Sequence, residues 1–187
     1  MARKKEYTEN EVIEKAMALF WRNGFETTSM QMLEKEMGIN KFSIYSSFGN
    51  KNGVLLESIK CYRKNMSKIL DKLEVSNNGA LGLKQYFYDF IAFSQENNQG
   101  KGCLMVNTAN ELGGNIDPRI QMEIAAHMKI LSESFANNLK QDTKKDAETI
   151  ANQTDYLLVS KVALASASKM FNNAQMSNFI ENLFKSV

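Results

Sequence analysis

Few residues in this chain have side chains suited to reactive chemistry. Among 187 residues the only thiols are Cys61 and Cys103, and the only imidazole is His127. One imidazole and two distant thiols do not make the ligand spacing of a zinc site, so no metal is expected. A phosphate-binding Walker loop, a dinucleotide glycine fingerprint and a Cys-x-x-Cys pair are all missing from the sequence, so no enzyme class and no cofactor is indicated. Cys103 is the one candidate for chemistry of its own. In Lys101-Gly102-Cys103-Leu104-Met105-Val106 it falls in the first turn of an expected helix, and both a helix N-terminus and a nearby ammonium lower a thiol pKa. It is therefore a candidate redox or electrophile sensor, although a thiol in an apolar run also reads as a small core hydrophobe.

A second set of residues suits the binding of a small molecule. Tyr86, Phe90 and Phe93 belong to a segment, residues 86–93, that puts aromatics on nearly every side of one helix. Asn107, Asn110 and Glu111 interrupt the apolar stretch after Cys103, and His127 follows on a long helix beside Ile124 and Met128. Aromatic walls with a few convergent polar groups make a pocket, and a plain core with satisfied amides would carry the same residues.

These side chains need helices to position them. A single proline, Pro118, and no Asn-Gly or Asp-Gly turn between alternating runs leave little support for a sheet. Apolar residues instead recur at helical spacing, as in Leu55, Ile59, Tyr62, Met66, Ile69 and Leu73. Breaks at Gly24, Gly38, 49–53, 76–79, 97–102, 113–118, 141–145 and 172–173 divide the chain into about nine helices, an all-α protein. The first three are short and the later ones long. That change of scale sets an expected boundary, with one domain over 1–50 and a second over 51–187.

The first fifty residues are the most specific. Thr8 with Glu11 fits a capping box and starts a helix at Glu9 that runs to about Asn23, where Gly24 ends it. Thr28 with Gln31 repeats the signature before a short second helix that stops at Gly38. Asn40 then caps a third helix, Lys41 to Phe48. Two short helices joined by a tight turn containing glycine form a helix-turn-helix, whose second helix lies in the DNA major groove. On the third helix Ile44 and Phe48 should pack inward on Phe20, Phe25 and Leu33, leaving Phe42, Tyr45 and Ser46 outward. There Phe42 can meet a thymine methyl, Tyr45 a phosphate, and Lys41, Ser43 and Ser46 phosphate or base edges. Thr28 and Lys51, at expected helix starts, sit where backbone amides attract phosphate.

Asn23-Gly24-Phe25-Glu26-Thr27-Thr28-Ser29-Met30, then Gly38-Ile39-Asn40-Lys41, then Ile44-Tyr45-Ser46-Ser47-Phe48-Gly49-Asn50-Lys51 and Leu55 resemble the N-terminal pattern of the TetR family of transcriptional regulators. The resemblance covers Thr8 to Tyr62. It implies a homodimer whose N-terminal domains bind a palindromic operator on double-stranded DNA, and a larger C-terminal domain that binds a small-molecule inducer. It further implies a regulator, most simply a repressor. Departures from the pattern are Glu34 and Met37 in place of small residues in the second helix, and Phe42 in place of a small one in the third. A helical carrier or enzyme that keeps the helix-turn-helix only as structure is the alternative.

Charge adds little to this reading. Residues 1–51 hold eight Lys or Arg and seven Asp or Glu, so recognition must rest on local arrangement; Arg3, Lys4 and Lys5 form a basic arm that reads equally as a minor-groove contact or as a solvated terminus. The last two helices carry apolar stripes: Ile150, Thr154, Leu157, Leu158, Lys161, Val162, Ala165 and Ser168, then Met176, Phe179, Ile180, Leu183 and Phe184. By resemblance these form a dimer interface, and they could equally cap the chain's own core. A polar N-terminal segment, no apolar run of membrane-spanning length and two widely separated cysteines lead to an expected cytoplasmic location.

Overall fold

Residues 7–95 and 102–187 of a computed structural model are described, and there the breaks named above separate helices, while the break at 97–102 lies, apart from Gly102, outside the described residues. The basic arm Arg3-Lys4-Lys5 and Lys101 lie outside the described residues. The helices are α1 (Glu9–Asn23), α2 (Met30–Met37), α3 (Lys41–Phe48), α4 (Lys51–Ser76), α5 (Gly79–Gln95), α6 (Leu104–Leu112), α7 (Pro118–Leu139), α8 (Ala147–Ala167) and α9 (Asn173–Leu183), with a 3-10 turn, Gly113–Asn115, after α6. No strand occurs among the described residues.

Local chemistry accounts for most of the ends. The Thr8 hydroxyl accepts from the Glu11 amide at 3.4 Å, Asn40 Oδ1 accepts from the Ser43 amide at 2.8 Å, and Asn50 Oδ1 accepts from the Gly53 amide at 2.9 Å. One expectation is off by a residue. Ser29, not Thr28, caps α2, its hydroxyl accepting from the Met32 amide at 3.1 Å. Thr28 is fully buried and donates to the Gly24 carbonyl at 2.6 Å, so its hydroxyl closes the turn behind α1.

Helices α1, α2 and α3 form the small N-terminal unit. Ile44 is completely buried and Phe48 packs on the core, as their spacing on one face requires, and the Phe20 and Phe25 rings stack at 6.0 Å. Helix α4 packs on α1 and α3 at one end and on α5 and α7 further along. A single apolar core therefore runs from Val12 in α1 to Leu183 in α9.

The sequence stripes on α8 and α9 face inward. Thr154, Leu157, Lys161, Ala165 and Ser168 are buried in the chain's own core, with Met176, Ile180 and Leu183, and the Phe184 ring packs edge-on against Phe87 at 5.4 Å. Helix α8 is apolar on its outer face as well, which is why periodicity alone does not choose between the two. Tyr156 and Val159 of α8 are exposed there, as are Met170 and Phe171 of the turn that follows and Phe179, the one residue of the α9 stripe that faces outward, and Ala163, Ala167, Phe171 and Phe179 help line a groove of about 260 Å³ between α8 and α9. No helix among the described residues is long and apolar enough to cross a membrane.

Candidate functional site

The outer face of α3 is the first feature that needs an explanation. Phe42 is 80% exposed and Tyr45 43% exposed, side by side with exposed Lys41 and Ser46. Lys41 Nζ lies 5.8 Å from the Tyr45 ring centroid. Ser43 is half-buried, its amide taken by the Asn40 cap, and Ser46 donates to the Ser43 carbonyl at 3.1 Å. Two large rings in solvent on a short helix are unusual, because burying either would stabilise the fold by roughly 1.5–3 kcal/mol.

The surrounding residues fix this helix in place. Glu34, an unexpected residue in α2, has its carboxylate accept from the Lys41 amide at 3.0 Å and so ties α2 to the first turn of α3. The other departure in α2, Met37, is buried in the core. Lys51 is not held out toward solvent: its ammonium sits 4.2 Å from the Phe25 ring centroid and donates to the Glu26 carbonyl at 3.5 Å. Partial burial pulls its pKa down, opposed by Glu26 and Glu111. Thr28, wholly buried, has no surface on which to meet a phosphate in this arrangement.

Glu111 belongs to this end of the molecule and not to a pocket. Its carboxylate accepts from the Phe25 amide at 2.8 Å and from the Glu26 amide at 2.9 Å, clasping the turn between α1 and α2 from the last turn of α6. Gly24, with φ at +83°, makes that approach feasible: a Cβ there would meet the two carboxylate oxygens at 2.8 and 2.9 Å. Asn110 is exposed, so neither it nor Glu111 lines the aromatic cluster expected of them. The C-terminal turn of α6 keeps Leu112 in the core while its outer residues face the α1 end of the molecule.

The other sequence candidates do gather. Tyr86 and Phe90 of α5 are buried, as are His127 of α7 and Cys103, which is the N-cap of α6 and not a residue of its first turn. Phe93 stacks on Trp21 at 5.5 Å and meets Tyr62 edge-on at 5.6 Å. Asn107 is half-buried on α6. The residue missing from the sequence reading of this site is Lys161 of α8. It is 1% exposed, its ammonium donates to Cys103 Sγ at 3.7 Å, and it lies 4.7 Å from the Phe90 ring centroid. Burial alone would push the Cys103 thiol up, but the Lys161 ammonium, the Tyr62 hydroxyl and the amides of Val106 and Met105 outweigh it and hold the pKa below its ordinary value. Burial and the neighbouring sulfur push both Tyr62 and Tyr86 far up, so both stay neutral phenols. His127 is driven down to about 3, first by burial and then by Lys161 and Arg63. Among the described residues no cluster of His, Cys, Asp and Glu is arranged to hold a metal ion.

A three-helix unit with a helix-turn-helix, its second helix bearing exposed aromatics and its turn clasped by a larger helical body, defines the class of helix-turn-helix regulators. Residues 12–58 match the family model described as bacterial regulatory proteins, tetR family. The uncharacterized HTH-type transcriptional regulator YezE of Bacillus subtilis (strain 168) is 25% identical over 177 residues, spanning 91% of this chain and 90% of YezE. The biofilm operon icaADBC HTH-type negative transcriptional regulator IcaR of Staphylococcus aureus is 25% identical over 142 residues, spanning 75% of this chain and 76% of IcaR. In fold the chain is similar to a cysteine mutant of the TetR family transcriptional regulator CifR, solved with 26bp double-strand operator DNA, at TM-score 0.85, 20% identity and 98% coverage of both chains. It is also similar to a TetR transcriptional regulator from Legionella pneumophila, at TM-score 0.83 and 14% identity, covering 99% of this chain and 100% of that one. Residues 12–58 thus match the N-terminal domain of the tetR family of bacterial regulatory proteins, and most of the chain is similar to HTH-type transcriptional regulators.

Proposed function

We propose that this chain is a repressor that binds a pseudopalindromic operator as a homodimer and is released by a small-molecule inducer. The observation that carries the reading is Phe42 and Tyr45 standing in solvent on the outer face of α3, where a packed core would have used them. In the major groove Phe42 meets a thymine methyl and reads sequence, while Tyr45 and Lys41 contact phosphate and set position. The named relatives fit this: IcaR is a negative regulator, and the CifR structure contains operator DNA. A second copy covers the apolar outer face of α8 and α9, and two-fold symmetry then spaces the recognition helices about 34–36 Å apart, or a little more, to meet successive major grooves. A ligand that prefers one arrangement of the dimer changes that spacing, with a coupling of roughly 1–3 kcal/mol typical of such systems.

An operator selected from random DNA, followed by fluorescence anisotropy on matched and scrambled duplexes, tests the reading. Tyr45→Phe is expected to weaken binding by a similar factor on every sequence. Phe42→Ala is expected to narrow the gap between matched and scrambled duplexes. No enriched sequence, or unchanged affinity in both variants, would refute the assignment.

A further inference from the structure

The interior around Lys161 contains more hydrogen-bonding capacity than the chain itself uses. Lys161 is 1% exposed, and among the described residues no carboxylate lies within salt-bridge distance of it. Its ammonium has three N–H donors, and the structure gives it one hydrogen bond, to Cys103 Sγ at 3.7 Å, and the face of the Phe90 ring at 4.7 Å. Tyr62 Oη, Tyr86 Oη and His127 Nε2, all buried, have no hydrogen-bond partner among the described residues. These groups belong together. Burial first and then the Cys103 sulfur raise the pKa of both phenols, and burial and then Lys161 lower that of His127, so each lies within reach of another's charge. Buried donors are costly to leave unpaired, so donors left over on four side chains, one each from α4, α5, α7 and α8, point to a bound species.

We propose that this interior is the binding site for a small aromatic monocarboxylate, whose carboxylate lies against Lys161 and accepts from the Tyr62 and Tyr86 hydroxyls. The charge count sets the class. Lys161 is the unpaired cation of the cluster, because Arg63, the other cation acting on His127, is paired with Glu123 at 2.7 Å. One charge calls for a monoanion, and a dianion such as phosphate would bring a buried charge with no counterpart. The donors set the head group. An ammonium N–H, two phenol O–H groups and, with its proton on Nε2, the neutral imidazole all donate, and the two oxygens of a carboxylate offer about four acceptor sites and ask for no acceptor in return.

The walls set the body of the ligand. Phe93 lies between Trp21 at 5.5 Å and Tyr62 at 5.6 Å, and the Tyr86 ring meets Phe135 edge-on at 5.2 Å. A flat ring joins such an array through the offset and edge-on contacts that the side chains already use. Met66, one turn along α4 from Tyr62, and Met105, two residues after Cys103, are buried unbranched chains that can repack to admit it. An uncharged analogue of the same shape fills the same space but leaves the ammonium unpaired. That such an acid is the inducer rests on the repressor reading above; the binding site does not.

Isothermal titration calorimetry of the full-length protein with benzoate, and with benzamide as the uncharged analogue, tests the site. Benzoate is expected to bind at least about tenfold more tightly, a margin that Lys161→Met should remove. Should that variant fail to fold, Tyr86→Phe gives the answer, because it deletes a hydroxyl that has no partner in the folded chain and so should fold as well as the parent. It is expected to weaken benzoate about tenfold and benzamide by less. His127 is the only histidine in the chain, so its ring signals in a proton spectrum are unambiguous, and they should move over the benzoate concentrations at which heat is released. Equal binding of the two probes, no binding of either at millimolar concentration, full benzoate affinity in Tyr86→Phe, or binding that leaves the His127 signals still overturns the site and assigns these donors to buried water. Saturating benzoate should also release the selected operator duplex. A bound operator that is not released overturns the inducer role. A chain that binds benzoate at this site but binds no selected duplex supports the site and overturns the repressor reading, so the two failures are told apart.

Discussion

His127 is a base denied its proton. Burial, then the Lys161 and Arg63 cations, lower its pKa from 6.5 to about 3 in the folded chain. The unfolded chain therefore binds more protons between those two values, so the contribution of His127 to stability is complete above about pH 6.5 and is lost as pH falls toward 3. Urea unfolding at a series of pH values should show stability falling by up to about 1.4 kcal/mol per unit in that window. His127→Gln should remove most of that slope. The depressed carboxyls of Asp117, held by Arg119, and of Asp146 and Glu181 add a loss of the same sign, but only below their ordinary range near pH 4, and it persists in the variant. Equal slopes in both proteins between about pH 5 and 6.5 would show that His127 is not the group responsible.

Helix ends show how far the sequence could be read. Thr8 and Asn40 accept from amides three residues on, and Gly24 and Gly38 end their helices through their own backbone, so these roles were visible locally, and α1 and α3 match their expected limits. The choice between Thr28 and Ser29 was not visible, because both are hydroxyl residues and only the fold decides which one is buried. Glu34 and Glu111 lay further out of reach. The first accepts from an amide on the next helix, and the second from amides more than eighty residues away in the chain. Lys161 was legible as part of the apolar stripe of α8, but nothing local shows that its ammonium ends beside Cys103, fifty-eight residues earlier in the chain. Removing the unexpected tie has a defined cost at this scale. Glu34→Ala leaves the first amide of α3 without its acceptor and should lower stability by about 0.5–1.5 kcal/mol, read as a shift of the urea midpoint with an unchanged m-value. No shift would mean that water replaces the carboxylate without loss.

For the whole molecule, the unsettled surface is the outer side of α8 and α9. The inward residues are accounted for by the core, while Tyr156, Val159, Met170, Phe171 and Phe179 remain exposed beside the small residues Ala163 and Ala167. Small residues let a second helix pair approach closely, and the aromatics at the ends of the stripe supply area. Val159 is 69% exposed in the single chain, so Val159→Glu should leave its thermal unfolding within about 0.5 kcal/mol of the parent. In a dimer the same change buries a carboxylate at the interface. Light scattering at micromolar concentration should therefore report a dimer for the parent and a monomer for the variant. A parent that stays monomeric, or a variant that stays dimeric, would place the interface elsewhere.

The clasp of Glu111 on the Phe25 and Glu26 amides has a spectroscopic consequence. Amides in a surface turn ordinarily exchange their protons with solvent quickly, because nothing within the turn shields them. These two are shielded by a side chain carried on α6, so their chemical shifts and exchange rates belong as much to the larger helical body as to the small N-terminal unit that contains them. Two adjacent signals in a nitrogen-15 spectrum thus act as a gauge of where α6 stands, readable with no DNA and no effector in the tube.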